Sequence, residues 1–516
     1  MSCILIYNNL LVRQVMCLNS IGDFMNILMV YPRYPVTFWS FKYILKYISK
    51  KSLFPPLGLL TVAAMLPEGW NVRLIDLNIK KLKEKDIEWA DYVMISAMLI
   101  QKESVNEILQ WCRRLGKQVI AGGPLFNGAP DEYLHLVDHL ILNEAEHTLP
   151  PFLADLRAGA PKKVYCSEDF PVLTSTPLPR WELINIKKYA SLMIQFSRGC
   201  PFNCEFCDVT AMFGHNPRLK SVDQFLGELQ AIYNIGWRGN LFIVDDNFIG
   251  NKKAIKKMLP EVINWMKVHD YPFVLFTETS MNIADDDELI HLMVEAGFES
   301  VFIGIETPDE DSLKECSKHQ NYRIDMREAI KKLHAKGLQV LGGYIVGFDN
   351  DNESIFARQI KFIQETGVVT AMVGLLNALP NTRLWKRLNE EHRLDSCSSG
   401  DNTDGSINFI PRMDKTKLIE GYRSIVKTIY SPRHYYQRVC KFLEQYKPCR
   451  KRKMDYLQVE AFLKSLFYLG ILGNGASQWY YWKMMLKSII FHRESFPEAI
   501  TLMVYGDHFR KIAKKV

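Results

Sequence analysis

Residues 189–220 read YASLMIQFSRGCPFNCEFCDVTAMFGHNPRLK. An apolar run, SLMIQFS, leads straight into a loop that holds Cys200, Cys204 and Cys207 in the spacing CxxxCxxC. Three thiolates in one short loop can hold three irons of a cubane cluster and leave the fourth iron open to a non-protein ligand. Structural zinc usually takes four protein ligands, commonly from two separated pairs, whereas Cys166 and Cys316 stand isolated in the sequence. A fortuitous group of three buried thiols is the remaining alternative.

Outward from this loop, short apolar runs alternate with helix-like segments from 189 to about 380: SLMIQFS, NLFIVDD, FVLFTET, SVFIGIE, LQVLGGYIVGF and AMVGLLN. Repeated strand and helix predict a parallel sheet. Six units do not fill an eightfold barrel, so the expectation is a partial (β/α)6 TIM-like barrel with chemistry at the carboxyl ends of its strands. A second α/β series lies upstream, with strands NILMVYP, NVRLIDLN, YVMISAM, KQVIAGG and HLILNE and helical segments such as GLLTVAAML and ESVNEILQWCRRLG. It predicts a Rossmann-like, flavodoxin-like sheet covered on both faces. Ligands of such a sheet sit beyond its carboxyl edge, here the turns at 31–40, 96–101 and 122–126. Residues 160–185 are rich in proline without periodicity and read as a linker, and beyond about 415 the pattern is mainly helical. The expected divisions are an extension at 1–24, a first domain at 25–158, a linker at 159–188, the barrel at 189–412 and a helical domain at 413–516.

Composition narrows the class. With 48% hydrophobic and 23% charged residues in 516, the chain is an ordinary globular protein and neither disordered nor collagen-like. No uncharged apolar stretch is long enough for a transmembrane helix, and the amino terminus lacks the ordered features of a signal peptide. Eleven cysteines, scattered apart from the triad, read as a chain of the reducing cytoplasm. Residues 431–516 hold 16 Lys and Arg against 6 Asp and Glu, more than the whole net charge of +7. This region contains QWYYWKMMLKSIIFH, in which aromatic and basic residues suit an anionic membrane surface, so peripheral contact at the inner face of the membrane is expected beside a plain solvated basic face. No nucleic-acid recognition motif is present. GILGNGAS lacks the context of a phosphate loop, and EEH at 390–392 points in different directions on a helix.

At its cysteine loop the sequence resembles the radical S-adenosylmethionine (radical SAM) superfamily, whose motif has this spacing and an aromatic residue before the third cysteine, here Phe206. The resemblance implies that Cys200, Cys204 and Cys207 bind a 4Fe–4S cluster, that SAM chelates the open iron, and that Phe206 lies near the adenine. One electron then cleaves SAM to methionine and a deoxyadenosyl radical. It further implies that Asp245, Asp246 and Asn247 accept from the SAM ammonium, that Glu278, Thr279 and Glu306 meet its sugar or carboxylate, and that the strand with Tyr344, Ile345 and Gly347 backs the adenine. A carboxylate at a strand end is also often a helix cap or a solvated turn.

The upstream segments FPPLGLLTVAAML, WADYVMISAMLIQKES, VIAGGPLFN and LNEAEHTLP resemble the cobalamin-binding domain of one radical SAM subfamily. There Ser96, Gly122 and Gly123 are the implied cobalamin contacts, the glycines allowing close backbone approach. No DxHxxG motif is present, and His135, His139 and His147 do not supply it, so cobalt receives no histidine of that kind. An empty fold retained for packing is the alternative. LLNALPNTRLW, NFIPRM, GYRSIVKTIYSPRHYYQR and AITLMVYGDHF extend the resemblance to the cobalamin-dependent radical SAM family with a helical carboxy-terminal domain, which includes the hopanoid methylases. Asn381 stands in ALPNT where glycine is expected; Asn is the next most tolerant residue of positive φ.

The function so implied is methylation of an unactivated carbon. One SAM methylates reduced cobalamin, and a second yields the radical that removes hydrogen from an apolar, hopanoid-like lipid. A flavodoxin- or ferredoxin-type reductant supplies electrons. The alternatives are a non-methylating radical SAM cyclase or rearrangement enzyme and a non-catalytic cluster or cobalamin sensor. A methylthiotransferase is disfavoured because the first domain lacks a second cysteine triad.

Overall fold

The computed structural model describes residues 24–401, 403–450 and 456–516. The extension expected at 1–24 falls, except for Phe24, outside the described residues. The chain forms two compact units: one of the described residues up to Pro35 together with Pro55–Asn185, the other of Val36–Phe54 together with Ile186–Val516.

The first unit is built on a six-stranded parallel sheet in the order β2-β1-β3-β4-β5-β6, with β1 (Asn26–Tyr31), β2 (Asn71–Asp76), β3 (Tyr92–Ser96), β4 (Gln118–Gly122), β5 (His139–Ile141) and β6 (Val164–Tyr165). The first five coincide with the apolar runs. The sixth arises in the proline-rich stretch and, at two residues, is too short to show a periodicity. Leu28 and Val30 pack with Val93 and Ile95 on one face, while Ile27 and Met29 pack with Met94 and Ile120 on the other. Period-2 alternation with both faces covered is why these strands read as unbroken apolar runs. Helix α1 (Leu57–Ala64) covers one face through Leu59 and Ala63, and α2 (Lys102–Arg114) covers the other through Val105, Ile108 and Cys112. Helix α3 (Ala145–Arg157) adds Leu149 and Phe152 beside α1.

The strand order reverses between β1 and β3, which places a ligand crevice at their carboxyl ends. Ser96 and Gly122 are direct register partners at that edge. Gly123 has φ 95°, and a Cβ there would lie 2.6 Å from Ser96 Oγ; one on Gly122 would lie 2.6 Å from the Ile141 carbonyl oxygen. Both glycines therefore serve close approach within the sheet itself. Gly123→Ala should cost about 1–3 kcal/mol by adding a side chain at positive φ against Ser96. Denaturant unfolding checks this, and cobalamin retained after desalting reports the loss at the edge.

In the second unit β7 (Leu192–Ile194) is followed by the antiparallel pair β8 (Ser197–Arg198) and β9 (Arg218–Leu219). Strands β10 (Gly239–Ile243), β11 (Phe273–Thr279), β12 (Phe298–Glu306), β13 (Gln339–Val346) and β14 (Ala371–Leu375) then continue a parallel sheet in the order β7-β10-β11-β12-β13-β14. The order has two free ends, so this is the expected six-stranded partial barrel. Its helices are α4 (Val222–Asn234), α5 (Lys252–Val268), α6 (Asp287–Ala296), α7 (Met326–Ala335), α8 (Ser354–Thr366) and α9 (Arg383–Glu390). Along β11 the alternation is clear: Phe273 stacks on Trp265 of α5, whereas Phe276 stacks on Phe242 at 4.8 Å inside the barrel.

Residues 36–54 belong to this second unit, whereas their place in the sequence puts 31–40 at a turn of the first sheet. Their aromatic side chains explain it. Trp39 lies edge-on to Phe302 at 5.2 Å, and Phe54 packs 5.3 Å from Phe242, so the excursion fills the inner face of the barrel sheet with rings.

The carboxy-terminal part consists of α10 (Lys415–Ile429), α11 (Pro432–Gln445), α12 (Tyr456–Ser465), a π-helical turn (Leu466–Ile471), α13 (Gly475–Phe491) and α14 (Phe496–Ala513). Arg438 is fully buried and donates to Gln364 Oε1 and to the carbonyls of Ile429 and Val369, which ties α11 to α8. Among the described residues no helix is long and apolar enough to cross a membrane.

Candidate active site at the barrel mouth

The cysteine loop leaves β7 through β8. Gly199, at φ 96°, allows the turn: a Cβ there would lie 3.0 Å from the carbonyl oxygens of Phe213 and Gly214. The start of the loop is held by the end of β10. Asp245, 1% exposed, accepts from the Phe196 amide at 2.7 Å and from Ser197 Oγ at 2.6 Å. Asp246 accepts from the Gly199 amide at 2.8 Å. Both aspartates, implied as acceptors for the SAM ammonium, are thus engaged with the chain itself. Asn247 donates to Ser280 Oγ at 3.2 Å and reaches Cys200 Sγ at 3.8 Å.

Burial pushes Asp245 up to about 7, although its hydrogen bonds from Ser197 and Phe196 oppose the shift. Burial, and secondarily the charge of Asp246, push Glu278 up to about 7. A carboxyl raised on folding contributes stability that is fully present below its unfolded pKa near 3.9 and is lost as pH rises through its folded value. An asparagine at 245 can still accept from Phe196 and meet Ser197 without carrying charge. Asp245→Asn should therefore remove part of the fall in stability between about pH 4 and pH 7, compared with the unsubstituted chain across a pH series of denaturant titrations.

Cys200, Cys204 and Cys207 are free, half-buried thiols. Burial raises Cys200 and pushes Cys207 up to about 12, and the neighbouring Cys204 thiol adds to both shifts. Gln320 Nε2 lies 3.6 Å from Cys204 Sγ, and Gln320 Oε1 is buried without a hydrogen-bond partner. Among the described residues no three His, Cys, Asp or Glu side chains form a closed metal-binding group. The loop fits a cluster by donor chemistry. It offers three soft sulfurs, none in a disulfide, with side-chain N–H groups aimed at two of them.

Glu306 ends β12 at φ 63° and is paired with Lys318 Nζ at 2.5 Å, both largely buried. Burial lowers Lys318, but the charges of Glu306 and Cys204 outweigh it and hold the ammonium above the ordinary lysine range. Gly304 makes room for the pair, since a Cβ there would lie 2.6 Å from Lys318 Nζ. The same ammonium is 6.0 Å from the centre of the Phe206 ring, so Glu306, Lys318, Phe206 and the thiols gather at one mouth. Lys318 and Gln320 were not singled out from the sequence. They lie in SKHQN, Lys318 capping the one-turn helix His319–Tyr322 and Gln320 within it, and only the fold brings them to the loop.

The far side of the loop is clamped by α9. Arg387 makes a two-pronged contact with the Glu205 carboxylate, at 2.7 and 3.1 Å, and a third bond to Asp349 at 2.9 Å. Arg383 donates to the Asn203 carbonyl, and the Leu384 amide donates to the Glu205 carbonyl. Arg393 adds a second pair with Asp349. The turn that presents α9 contains Asn381 at φ 67°, the conformation expected of it.

Strand β13 splits the group implied for adenine. Tyr344 is fully buried, 6.4 Å from Phe362 of α8, whereas its neighbour Ile345 is half-buried and alternation turns it the other way. Gly347, at φ 109°, donates its amide to Asp351 at 2.8 Å. In the first unit, Ser96, Gly122 and Gly123 meet at one sheet edge. His139 and His147 are engaged with the carbonyls of Lys162 and Asp169.

Comparisons with known proteins agree with this geometry. Residues 48–153 match the B12 binding domain, 194–363 the Radical SAM superfamily, and 382–516 a domain of unknown function (DUF4070). The chain is 42% identical to an uncharacterised methyltransferase of Synechocystis sp., over 80% of this chain and 78% of that protein. It is 34% identical to the hopanoid C-2 methylase of Rhodopseudomonas palustris, over 93% of this chain and 92% of that one. Among solved structures, the TsrM methyltransferase of Kitasatospora setae, with cobalamin and a 4Fe–4S cluster bound, superposes with a TM-score of 0.61 at 14% identity, covering 92% of this chain and 99% of that one. The cobalamin-dependent radical enzyme OxsB, with aqua-cobalamin and SAM bound, gives a TM-score of 0.61 at 15% identity, covering 96% and 80%. At these identities the two structures show the fold alone.

Proposed function

The chain belongs to the cobalamin-dependent radical SAM methyltransferase family, and from that premise we propose that it methylates an unactivated carbon of an apolar, polycyclic, hopanoid-like lipid. The observation that carries the reading is the 34% identity to a hopanoid C-2 methylase along nearly the whole of both chains. When bound, the 4Fe–4S cluster, SAM and cobalamin supply the radical and the methyl group.

The protein's own part is to hold and to exclude. Cys200, Cys204 and Cys207 are the cluster ligands, with Asn247 and Gln320 directing N–H groups at two of the sulfurs. Lys318, fixed by Glu306, sets a buried positive charge beside the anionic thiolates. Phe206 offers a ring at the same mouth, and Asp246 and Glu278 keep the polar side of the site. Phe276, on the same face of β11 as Glu278 and two residues before it, stacks with Phe242 and Phe54 and lines that face with apolar rings. At the other cofactor, Ser96, Gly122 and Gly123 form the edge that meets cobalamin.

Electrons come from a flavodoxin- or ferredoxin-type protein, and an apolar lipid substrate makes the enzyme peripheral at the inner face of the membrane. The test is anaerobic incubation of the reduced, cobalamin-loaded enzyme with methyl-deuterated SAM and a panel of hopanoid-like lipids and tetrapyrroles. A lipid that gains one deuterated methyl group is the expected result. Deoxyadenosine formed with no methylated member of the panel would transfer the reading to the non-methylating alternative.

A further inference from the structure

The helical hairpin of α12, the π-helical turn and α13 carries apolar side chains that no described residue covers. Leu463, Phe467 and Ile471 recur every four residues, and all are exposed, Leu463 by 59%. On α13, Trp479, Trp482, Leu486 and Ile490 recur at intervals of three, four and four and are exposed as well, Trp479 by 65%. Phe491, at the end of the same helix, is 72% exposed. The other face of α13 is spent on the fold, with Tyr481, Met484 and Ser488 buried. Trp482 Nε1 donates to the Gly470 carbonyl at 3.0 Å, which joins the two apolar stripes at the turn. Spacings of three and four residues put each stripe on one side of its helix.

Soluble surfaces rarely leave so many large apolar side chains together without a partner. The charge around them says which partner. Residues 461–493 contain Lys464, Lys483, Lys487 and Arg493 and no Asp or Glu; Lys464 is paired with Glu460 and Lys487 lies 3.8 Å from Glu444, whereas Lys483 has no carboxylate partner among the described residues. Lys483 lies over the ring of Tyr436 at 5.2 Å and remains exposed beside Trp479 and Trp482 on the same helix. Trp rings and snorkelling lysines suit the boundary between lipid headgroups and acyl chains, and an exposed lysine outside any ion pair, as Lys483 is, suits a negative surface. No described helix is able to span the bilayer, so the contact is one of a helix lying in the interface.

We propose that this hairpin is an amphipathic foot that docks the enzyme on an anionic lipid bilayer, with Trp479, Leu486, Ile490 and Phe491 entering the headgroup boundary and Lys483 at the phosphates. The inference rests on the lipid-substrate reading for its purpose, and it names the surface that delivers the enzyme to such a substrate.

The test uses the full-length holoprotein with vesicles of phosphatidylglycerol and phosphatidylcholine, and with vesicles of phosphatidylcholine alone, read by co-sedimentation and tryptophan emission. The expected result is sedimentation with the anionic vesicles, a blue-shifted emission and salt-sensitive binding. W479Q combined with F491Q should weaken binding by at least about tenfold, since two large side chains no longer leave water. Lys483→Gln should weaken it about fivefold on anionic vesicles and little on neutral ones. All three side chains are exposed, so unchanged thermal unfolding certifies the variants. A chain that stays in the supernatant with anionic vesicles overturns the proposal. So does binding that survives W479Q/F491Q, or a concentration-dependent dimer that the same pair of substitutions dissolves, because a second copy then covers the patch. Methylation of detergent-solubilised lipid by a chain that ignores vesicles would sink the docking surface and keep the substrate. Vesicle binding without lipid methylation would do the reverse.

Discussion

Cys204→Ala should abolish SAM cleavage. Cys204 is the middle thiol of the triad, the one whose charge is felt by both Cys200 and Cys207, and its sulfur lies 3.6 Å from the Gln320 amide. Cys316, isolated in sequence, does come within electrostatic reach of Cys204, but it is buried and its thiol is turned to the Leu313 carbonyl at 3.6 Å. It is therefore no ready substitute ligand. Iron in the anaerobically purified protein should fall from about four per chain to near zero. Deoxyadenosine formed from SAM should fall to background, because the cluster held by the triad is the group that would pass the electron to SAM. Substantial deoxyadenosine from the variant would remove the loop from the chemistry. Cobalamin retention should not change, since its contacts are assigned to the first unit.

Arg387→Ala should be the most damaging substitution that touches no cofactor. The side chains of Glu205 and Asp349 are only 11% and 9% exposed, and Arg387 is bonded to both. Removing it leaves Glu205 as an uncompensated charge in a largely dry place, which costs about 3 kcal/mol or more. Asp349 keeps Arg393 and suffers less. Because Glu205 sits between Cys204 and Cys207, the damage reaches the cluster loop. The expected result is a lower unfolding midpoint together with a cluster that is lost faster on exposure to chelator, while the first unit still binds cobalamin. Arg387→Lys should recover only part of this, since an ammonium cannot replace the planar two-pronged contact. Equal cluster lifetimes in Arg387→Ala and the unsubstituted chain would show that α9 does not hold the loop.

The elements that could be read from the sequence are those whose pattern is local. Strands such as YVMISAM and NLFIVDD are buried on both faces and so appear as unbroken apolar runs, and the cysteine spacing needs no tertiary information. Positive φ at Asn381 was legible because few residues tolerate it. What escaped reading depends on partners distant in the chain. Asp245 stands at a strand end, where a ligand contact is expected, yet its oxygens go to Phe196 and Ser197, 49 and 48 residues away. Lys318 becomes a site residue only when Glu306 folds back at positive φ to meet it. Residues 36–54 stand among the strands of the first sheet but pack their rings in the barrel, and no periodicity announces that exchange. Tyr344 and Ile345 are neighbours on the strand implied to back the adenine, and alternation lets only one of the two side chains face that side.

The central claim is that this single chain holds both an iron–sulfur cluster and cobalamin in order to methylate. The most direct measurement is iron and cobalt analysis, with optical spectra, of protein purified anaerobically in the presence of cobalamin and then desalted. The account predicts about four irons and about one cobalt retained per chain. Iron retained without cobalt would contradict it.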